Sequence, residues 1–200
     1  MINKPDSTTR QRILKAALRR FAYCGYAGSS VQDIVDEAKV TKPTLYYYFD
    51  SKAGLYQALV DWAHDERFRL MQEAAERTGT LSSQLTEILT ALFEFLNGHR
   101  ELMRIAFATA FAAPGEIPPE INYLQKSGRN FEFIHALIKK GLTAGVLDST
   151  LASHDLALAI YGLMNIYVMH SLVRTGTKLN RQTAETIMRV YLHGTAKRNG

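Results

Sequence analysis

Apolar residues recur along this chain at intervals of three and four, and nowhere in sustained alternation. That pattern predicts an all-α protein of nine helices and no strands. The first helix is expected from about Ser7 to Tyr23, with Ile13, Leu14, Ala17, Leu18 and Phe21 on its buried face. Ser7, Thr8 or Thr9 can cap it by accepting a backbone N–H, and Gly25 follows its end, where glycine readily turns left-handed. A second helix is expected over Ser30–Ala38, capped by Ser29 or Ser30, with Asp33 in its first turn opposing the helix dipole. Its buried face is Val31, Ile34, Val35 and Ala38. Only Lys39-Val40 separates it from a third helix, which starts near Thr41, carries Pro43 in its first turn and turns Leu45, Tyr48 and Phe49 inward. Ser51 caps a long fourth helix extending to about Thr78. More apolar helices follow at about 82–97, 99–112, 121–144, 153–175 and 180–196. The clearest loop, Ala113–Glu120, holds three of the five prolines.

Composition narrows the class without changing this reading. The 200 residues are 46% hydrophobic and 22% charged, ordinary for a globular chain and unlike a disordered or collagenous one. One cysteine, Cys24, excludes an internal disulfide and fits a reducing cytoplasm. The polar stretch Met1 to Arg12 has no signal-peptide character, and no run of about 18 consecutive apolar residues occurs, so no membrane span is expected. The net charge of +5 is unevenly placed. Residues 1–55 carry nine basic and five acidic side chains, whereas 56–200 carry fifteen and fourteen. A small basic head on a nearly neutral body points to a polyanionic partner.

The second and third helices, two short segments closely joined, form a helix-turn-helix candidate. On a 3.6-residue turn the third helix leaves Lys42, Thr44, Tyr46 and Tyr47 outside, with Thr41 at its start. Lys42 can donate to guanine, and Thr44 and the Pro43 ring can meet a base edge or a thymine methyl. Tyrosine hydroxyls and helix N-termini suit phosphates. Lys52, beside the free N–H groups near Ser51, makes a second phosphate clamp. Gln32 is placed to reach adenine, while Arg19, Arg20 and Lys39 read as surface charges.

Downstream, polar groups set in apolar helices mark a site for a mostly apolar small molecule: Trp62, Arg104, His135, Tyr161 and Asn165. Its candidate walls are Phe93, Met103, Phe107, Phe111 and Phe131. In the eighth helix Leu156, Ile160, Leu163, Ile166, Tyr167 and Val173 cannot share one stripe. A helix apolar nearly all round is buried on two sides. These residues, with His170 and Val190, are therefore the expected dimer interface, and Gly162 allows close approach. A rival reading takes Glu132-x-x-His135 and Asp61-x-x-His64, with Glu87 and Glu94, as a di-iron set. One motif carries Asp for Glu, and the spacing is common by chance, so no metal, cofactor or catalytic residue is expected.

Residues 9–55 resemble the DNA-binding region of TetR-family transcriptional regulators. The matching run is Thr9-Arg10-x-Arg12-Ile13-Leu14-x-Ala16-Ala17, Phe21-Ala22, Gly25-Tyr26, Val31-x-x-Ile34 and Ala38-x-Val40. It ends with Thr44-Leu45-Tyr46-Tyr47-Tyr48-Phe49-x-Ser51-Lys52-x-x-Leu55. The resemblance implies a DNA-binding domain over 1–55 and a ligand-binding and dimerisation domain over 56–200. It implies a homodimeric repressor on a near-palindromic double-stranded operator, released by a small molecule. By position, Lys42, Pro43 and Thr44 lie near bases, Tyr46, Tyr47 and Lys52 meet phosphate or deoxyribose, and Ser30 caps the second helix against a phosphate. Tyr48 stands where many members have His, and Pro43 where many have Gly.

Overall fold

A computed structural model describes residues 7–77, 79–174 and 176–194. The helix ends expected at Thr78, Thr175 and residue 196, a cap from the Ser7 side chain, and the charges of Lys4 and Asp6 lie outside what is described. The described residues form nine helices and no strands, as the periodicity predicts: α1 (Ser7–Cys24), α2 (Val31–Ala38), α3 (Lys42–Phe49), α4 (Lys52–Glu76), α5 (Leu81–Gly98), α6 (Arg100–Ala110), α7 (Leu124–Thr143), α8 (Ser153–Val173) and α9 (Arg181–His193). The expected start of the seventh helix at 121 moves to Leu124. Ile121 instead packs as a buried loop residue, its N–H bonded to the Pro118 carbonyl.

The chain divides into two compact units, residues 1–65 with 100–125, and 66–99 with 126–200. In the first, α1 packs on α2 and α6, and α2 on α3. Ile13, Ala16, Ala17 and Phe21 of α1 meet a core that includes Ile34, Val35, Leu45, Phe49, Leu55 and Leu59, all buried. Leu14 and Leu18, expected inside, are only half-buried. They line an open cleft of about 740 Å³ against Ala58 and Trp62 of α4. Tyr56 of α4 meets Thr109 of α6 through their hydroxyls at 2.8 Å. Thr109 donates to Ile105, so the shared proton comes from the tyrosine. Gln57 exchanges two hydrogen bonds with the Asn122 backbone, at 2.8 and 3.0 Å.

In the second unit α5 packs on α8 and α9, and α8 on α9. Asn180 caps α9 by accepting the Thr183 N–H at 3.0 Å, and Arg181 pairs with Glu87 of α5. The Tyr191 hydroxyl donates to the Leu156 carbonyl at 3.0 Å, fixing α9 on α8. By length and composition α8 could cross a membrane, yet only 28% of its most apolar stretch is buried in the protomer. It leaves a bare apolar face, and Asn165 and His170 interrupt it.

Candidate nucleic-acid interface

The turn between α2 and α3 is held from both sides. Ser30 caps α2: its Oγ accepts the Asp33 N–H at 3.0 Å, while the Asp33 carboxylate accepts the Ser30 N–H at 3.4 Å. Hydrogen bonding with Ser30, first through its side chain and then through its N–H, holds the Asp33 carboxylate below the usual aspartate range. α2 ends at Lys39 in the left-handed region (φ 54°), which permits the two-residue turn. Arg12 of α1 then reaches across and donates to the Ala38 and Lys39 carbonyls at 2.6 and 2.8 Å. This cation on a helix C-terminus satisfies carbonyls that have no partner within α2. In the sequence Arg12 counts as a charge and as one position of the family-like run, but no periodicity signals a bond spanning 26 residues. Arg19 and Arg20 pair with Glu37 at 3.1 and 3.2 Å and also tie α1 to α2.

Thr41 caps α3, its Oγ1 accepting the Thr44 N–H at 3.3 Å and bonding the Thr44 hydroxyl at 2.8 Å. Leu45 and Phe49 anchor the helix inward, and Tyr48 is half-buried rather than fully in the core. Lys42 and Pro43 stand exposed, Thr44 is half-exposed, and Tyr46 and Tyr47 show 42% and 62% of their surface. One continuous outer face of α3 thus carries the residues expected to read DNA. Gln32 is also exposed, but its amide donates to Asp36 at 2.8 Å, a bond that base contact would have to replace.

At the next junction the Ser51 Oγ accepts the Gly54 N–H at 2.9 Å, capping α4 as expected. Gly54 is needed there, since a Cβ would stand 2.3 Å from the Phe49 carbonyl oxygen. The Lys52 ammonium lies 4.2 Å from the Tyr26 ring centroid. Partial burial pushes its pKa down, and the ring face holds the amine beside the α4 N-terminus.

The ten ligand-site candidates are shared between the two units. Trp62, Met103, Arg104, Phe107 and Phe111 belong to the first unit, and Phe93, Phe131, His135, Tyr161 and Asn165 to the second. Phe111 is 71% exposed just past the end of α6, and Arg104 is exposed with its guanidinium over the Tyr23 ring. Both are surface residues rather than pocket walls, because α6 turns its other face, Leu102, Met103, Ile105 and Ala106, inward. In the second unit Phe131 meets His135 and Tyr161 at ring separations of 5.9 and 5.6 Å. His135 Nδ1 faces Glu132 at 3.3 Å and Nε2 faces the Ser153 hydroxyl at 3.0 Å, so this histidine joins α7 to the start of α8. Phe93 is fully buried and Asn165 half-buried.

Of the expected dimer contacts, Ile160 requires correction. It is 3% exposed and lines a small apolar crevice among α5, α7 and α8, so it is a core residue of its own protomer. Ile166 is 55% exposed and His170 is exposed, while Leu156, Leu163, Tyr167 and Val190 are half-buried. Leu158, which the sequence reading left out, joins Ile166 and Val173 along the bare stripe of α8. An all-round apolar helix gives no periodic signal by which to choose the inward stripe.

Comparison with known proteins agrees with this geometry. Residues 13–59 match the family described as "Bacterial regulatory proteins, tetR family". The chain is 25% identical over 194 residues to the uncharacterized HTH-type transcriptional regulator YdgC of Bacillus subtilis, covering 93% of this chain and 92% of that one. It is 23% identical over 166 residues to the HTH-type transcriptional repressor SCO4008 of Streptomyces coelicolor, covering 82% and 81%. Its fold matches the crystal structure of the Bacillus subtilis transcriptional regulator FadR in complex with stearoyl-CoA with a TM-score of 0.76, at 19% identity over 93% of this chain and 99% of that one. The matched segment spans the whole helix-turn-helix, so residues 13–59 are a TetR-family DNA-binding region, and along most of its length the chain is similar to HTH-type transcriptional regulators.

Proposed function

We propose that the protein is a homodimeric repressor that grips a near-palindromic operator and is released by a mostly apolar small molecule. Residues 1–55 act as the DNA-binding domain, and 56–200 as the ligand-binding and dimerisation domain. The observation that carries the reading is the outer face of α3. Lys42, Pro43, Tyr46 and Tyr47 are exposed, with Thr44 half-exposed among them, on a helix whose start is fixed by Thr41 and whose preceding turn is fixed by Arg12. Lys42, Pro43 and Thr44 read bases. Tyr46, Tyr47, Lys52 and the N-terminus of α2 at Ser30 hold phosphates, and Gln32 adds a base contact once it leaves Asp36. The bare stripe of α8, with Val190 of α9, supports the two-fold interface that a palindrome demands. A cytoplasmic location follows from this role, with no cofactor and no chemistry beyond binding.

Selection of bound sequences from random DNA tests the proposal. Enrichment of an inverted repeat with half-sites about one helical turn apart is the expected result. Recovery of no sequence preference, or of an unrepeated single site, would overturn it.

A further inference from the structure

Leu14 and Leu18 lie on the face of α1 that periodicity turns inward, yet the fold leaves both half-buried, and Trp62 of α4 shows 39% of its surface beside them. With Ala58 they floor the open cleft of about 740 Å³ between α1 and α4 of the first unit. That volume lies within the range of small-molecule sites, about 300–1,000 Å³, which are mostly apolar with a few polar groups at fixed places. The polar groups here differ in sign from wall to wall: α1 contributes Arg10 and Lys15, and α4 contributes Asp61 and Asp65. The acidic wall is held in place. Gln57 donates to the Asp61 carboxylate at 2.9 Å and to the Asn122 carbonyl at 3.0 Å, while its own side-chain carbonyl accepts the Asn122 N–H at 2.8 Å. A carboxylate can accept about four hydrogen bonds, so this anchor orients Asp61 and still leaves it acceptor capacity for a ligand. On the basic wall the Arg10 guanidinium lies 5.1 Å from the Phe49 ring centroid. Lys15, exposed further along α1, is the cation placed to meet a ligand.

An apolar floor disfavours a wholly polar ligand, and walls of opposite sign disfavour one with a single charge. An anion faces Asp61 and Asp65, and a cation faces Arg10 and Lys15. A molecule carrying both charges suits both walls. Its ammonium meets the Asp61 and Asp65 carboxylates, one helical turn apart beside Trp62, whose ring face also attracts a cation. Its carboxylate meets Lys15, and its apolar body covers Leu14, Leu18 and the indole. We propose that this cleft binds a small zwitterion with an apolar body, the chemistry that a short peptide of apolar residues presents. It is a second ligand site, set between α1 and the first half of α4, and the repressor reading does not depend on it.

Trp62 is the single tryptophan of the chain, so its fluorescence reports on the cleft directly. The probes are four forms of the tripeptide Leu-Phe-Leu at neutral pH: the free zwitterion, the C-terminal amide, the N-acetyl acid and the peptide blocked at both ends. The full chain is titrated with each. Binding is expected to move the Trp62 emission to shorter wavelength. The zwitterion should bind about tenfold more tightly than the blocked peptide, the combined effect of two partly exposed charge pairs, and more tightly than either singly charged form. Asp65→Asn should remove most of the advantage of the free amine and leave that of the free carboxylate, and Lys15→Gln should do the reverse. Both side chains are exposed, so both variants should melt as the wild type does. The assignment is overturned if no form moves the emission, or if a singly charged or blocked form binds as tightly as the zwitterion. It also fails if either variant leaves both comparisons as in the wild type. Emission that moves to longer wavelength on dilution without peptide overturns it too, because a second copy then occupies the cleft. Operator binding by the same preparation separates the two readings. Sequence-selective DNA binding by a chain indifferent to the peptides removes this site alone, whereas peptide binding without operator preference keeps the site and removes the repressor reading.

Discussion

Replacing Arg12 with Met should loosen the α2–α3 turn while leaving the recognition helix chemically intact. The guanidinium donates to the Ala38 and Lys39 carbonyls at 2.6 and 2.8 Å, and Met keeps most of the side chain's length and packing. Hydrogen bonds from a charged donor contribute about 1.5–3 kcal/mol each. Arg12 is exposed, however, so water re-solvates the freed carbonyls and screens the charge. An expected loss of about 2 kcal/mol in total follows, of which the attraction of a cation to a helix C-terminus is about 0.3–1 kcal/mol. At 1.4 kcal/mol per factor of ten, this opens the turn about 30-fold more often. Native-state hydrogen exchange resolves that locally. The Lys39 and Val40 amides, which donate to the Asp36 and Val35 carbonyls, should lose about 30-fold in protection. The amides of α5 and α9 should not change. Operator affinity should fall by a similar factor, since an opened turn misplaces α3, and base preference should survive in whatever binding remains. Unchanged exchange at Lys39 and Val40, or full operator affinity in the variant, would refute the claim that Arg12 holds the reading head in shape.

Lys42→Ala should cost about 1–3 kcal/mol of operator binding and relax preference at one position per half-site, whereas Lys52→Ala should weaken all sequences alike and lower the salt slope by about one; footprints and salt titrations distinguish the two. Ile166→Glu should leave the protomer folded but give monomers by analytical ultracentrifugation, because Ile166 is bare in the protomer, whereas Ile160→Glu should unfold the chain, because Ile160 is core. Asp33 is held below the ordinary aspartate value of 3.8 by Ser30, so its cap contributes stability above that pH and loses it as pH falls through the depressed value; Ser30→Ala should return the carboxyl towards 3.8 in an NMR titration.

Local signals were enough for the helices. The caps at Ser30, Thr41 and Ser51, the left-handed glycine at Gly25 and the three- and four-residue apolar spacing all act within a few residues. Such signals survive in any sequence read in order, which is why nine helices and the outward face of α3 were legible. The sequence could also separate Leu45 and Phe49 from Lys42, Tyr46 and Tyr47, because a helix with polar positions has one dry side. What it could not decide were contacts between distant segments and choices among equally apolar faces. Arg12 finds its carbonyls 26 and 27 residues away, and Lys52 its ring on Tyr26. Gly54 is dictated by a neighbouring carbonyl rather than by its own turn. On α8 every stripe is apolar, so only packing against α5 and α9 placed Ile160 inside and left Ile166 and Val173 bare. Nothing in the sequence marks Arg67 as the buried arginine of the fourth helix, because burial depends on which elements cover a residue and not on the residue itself.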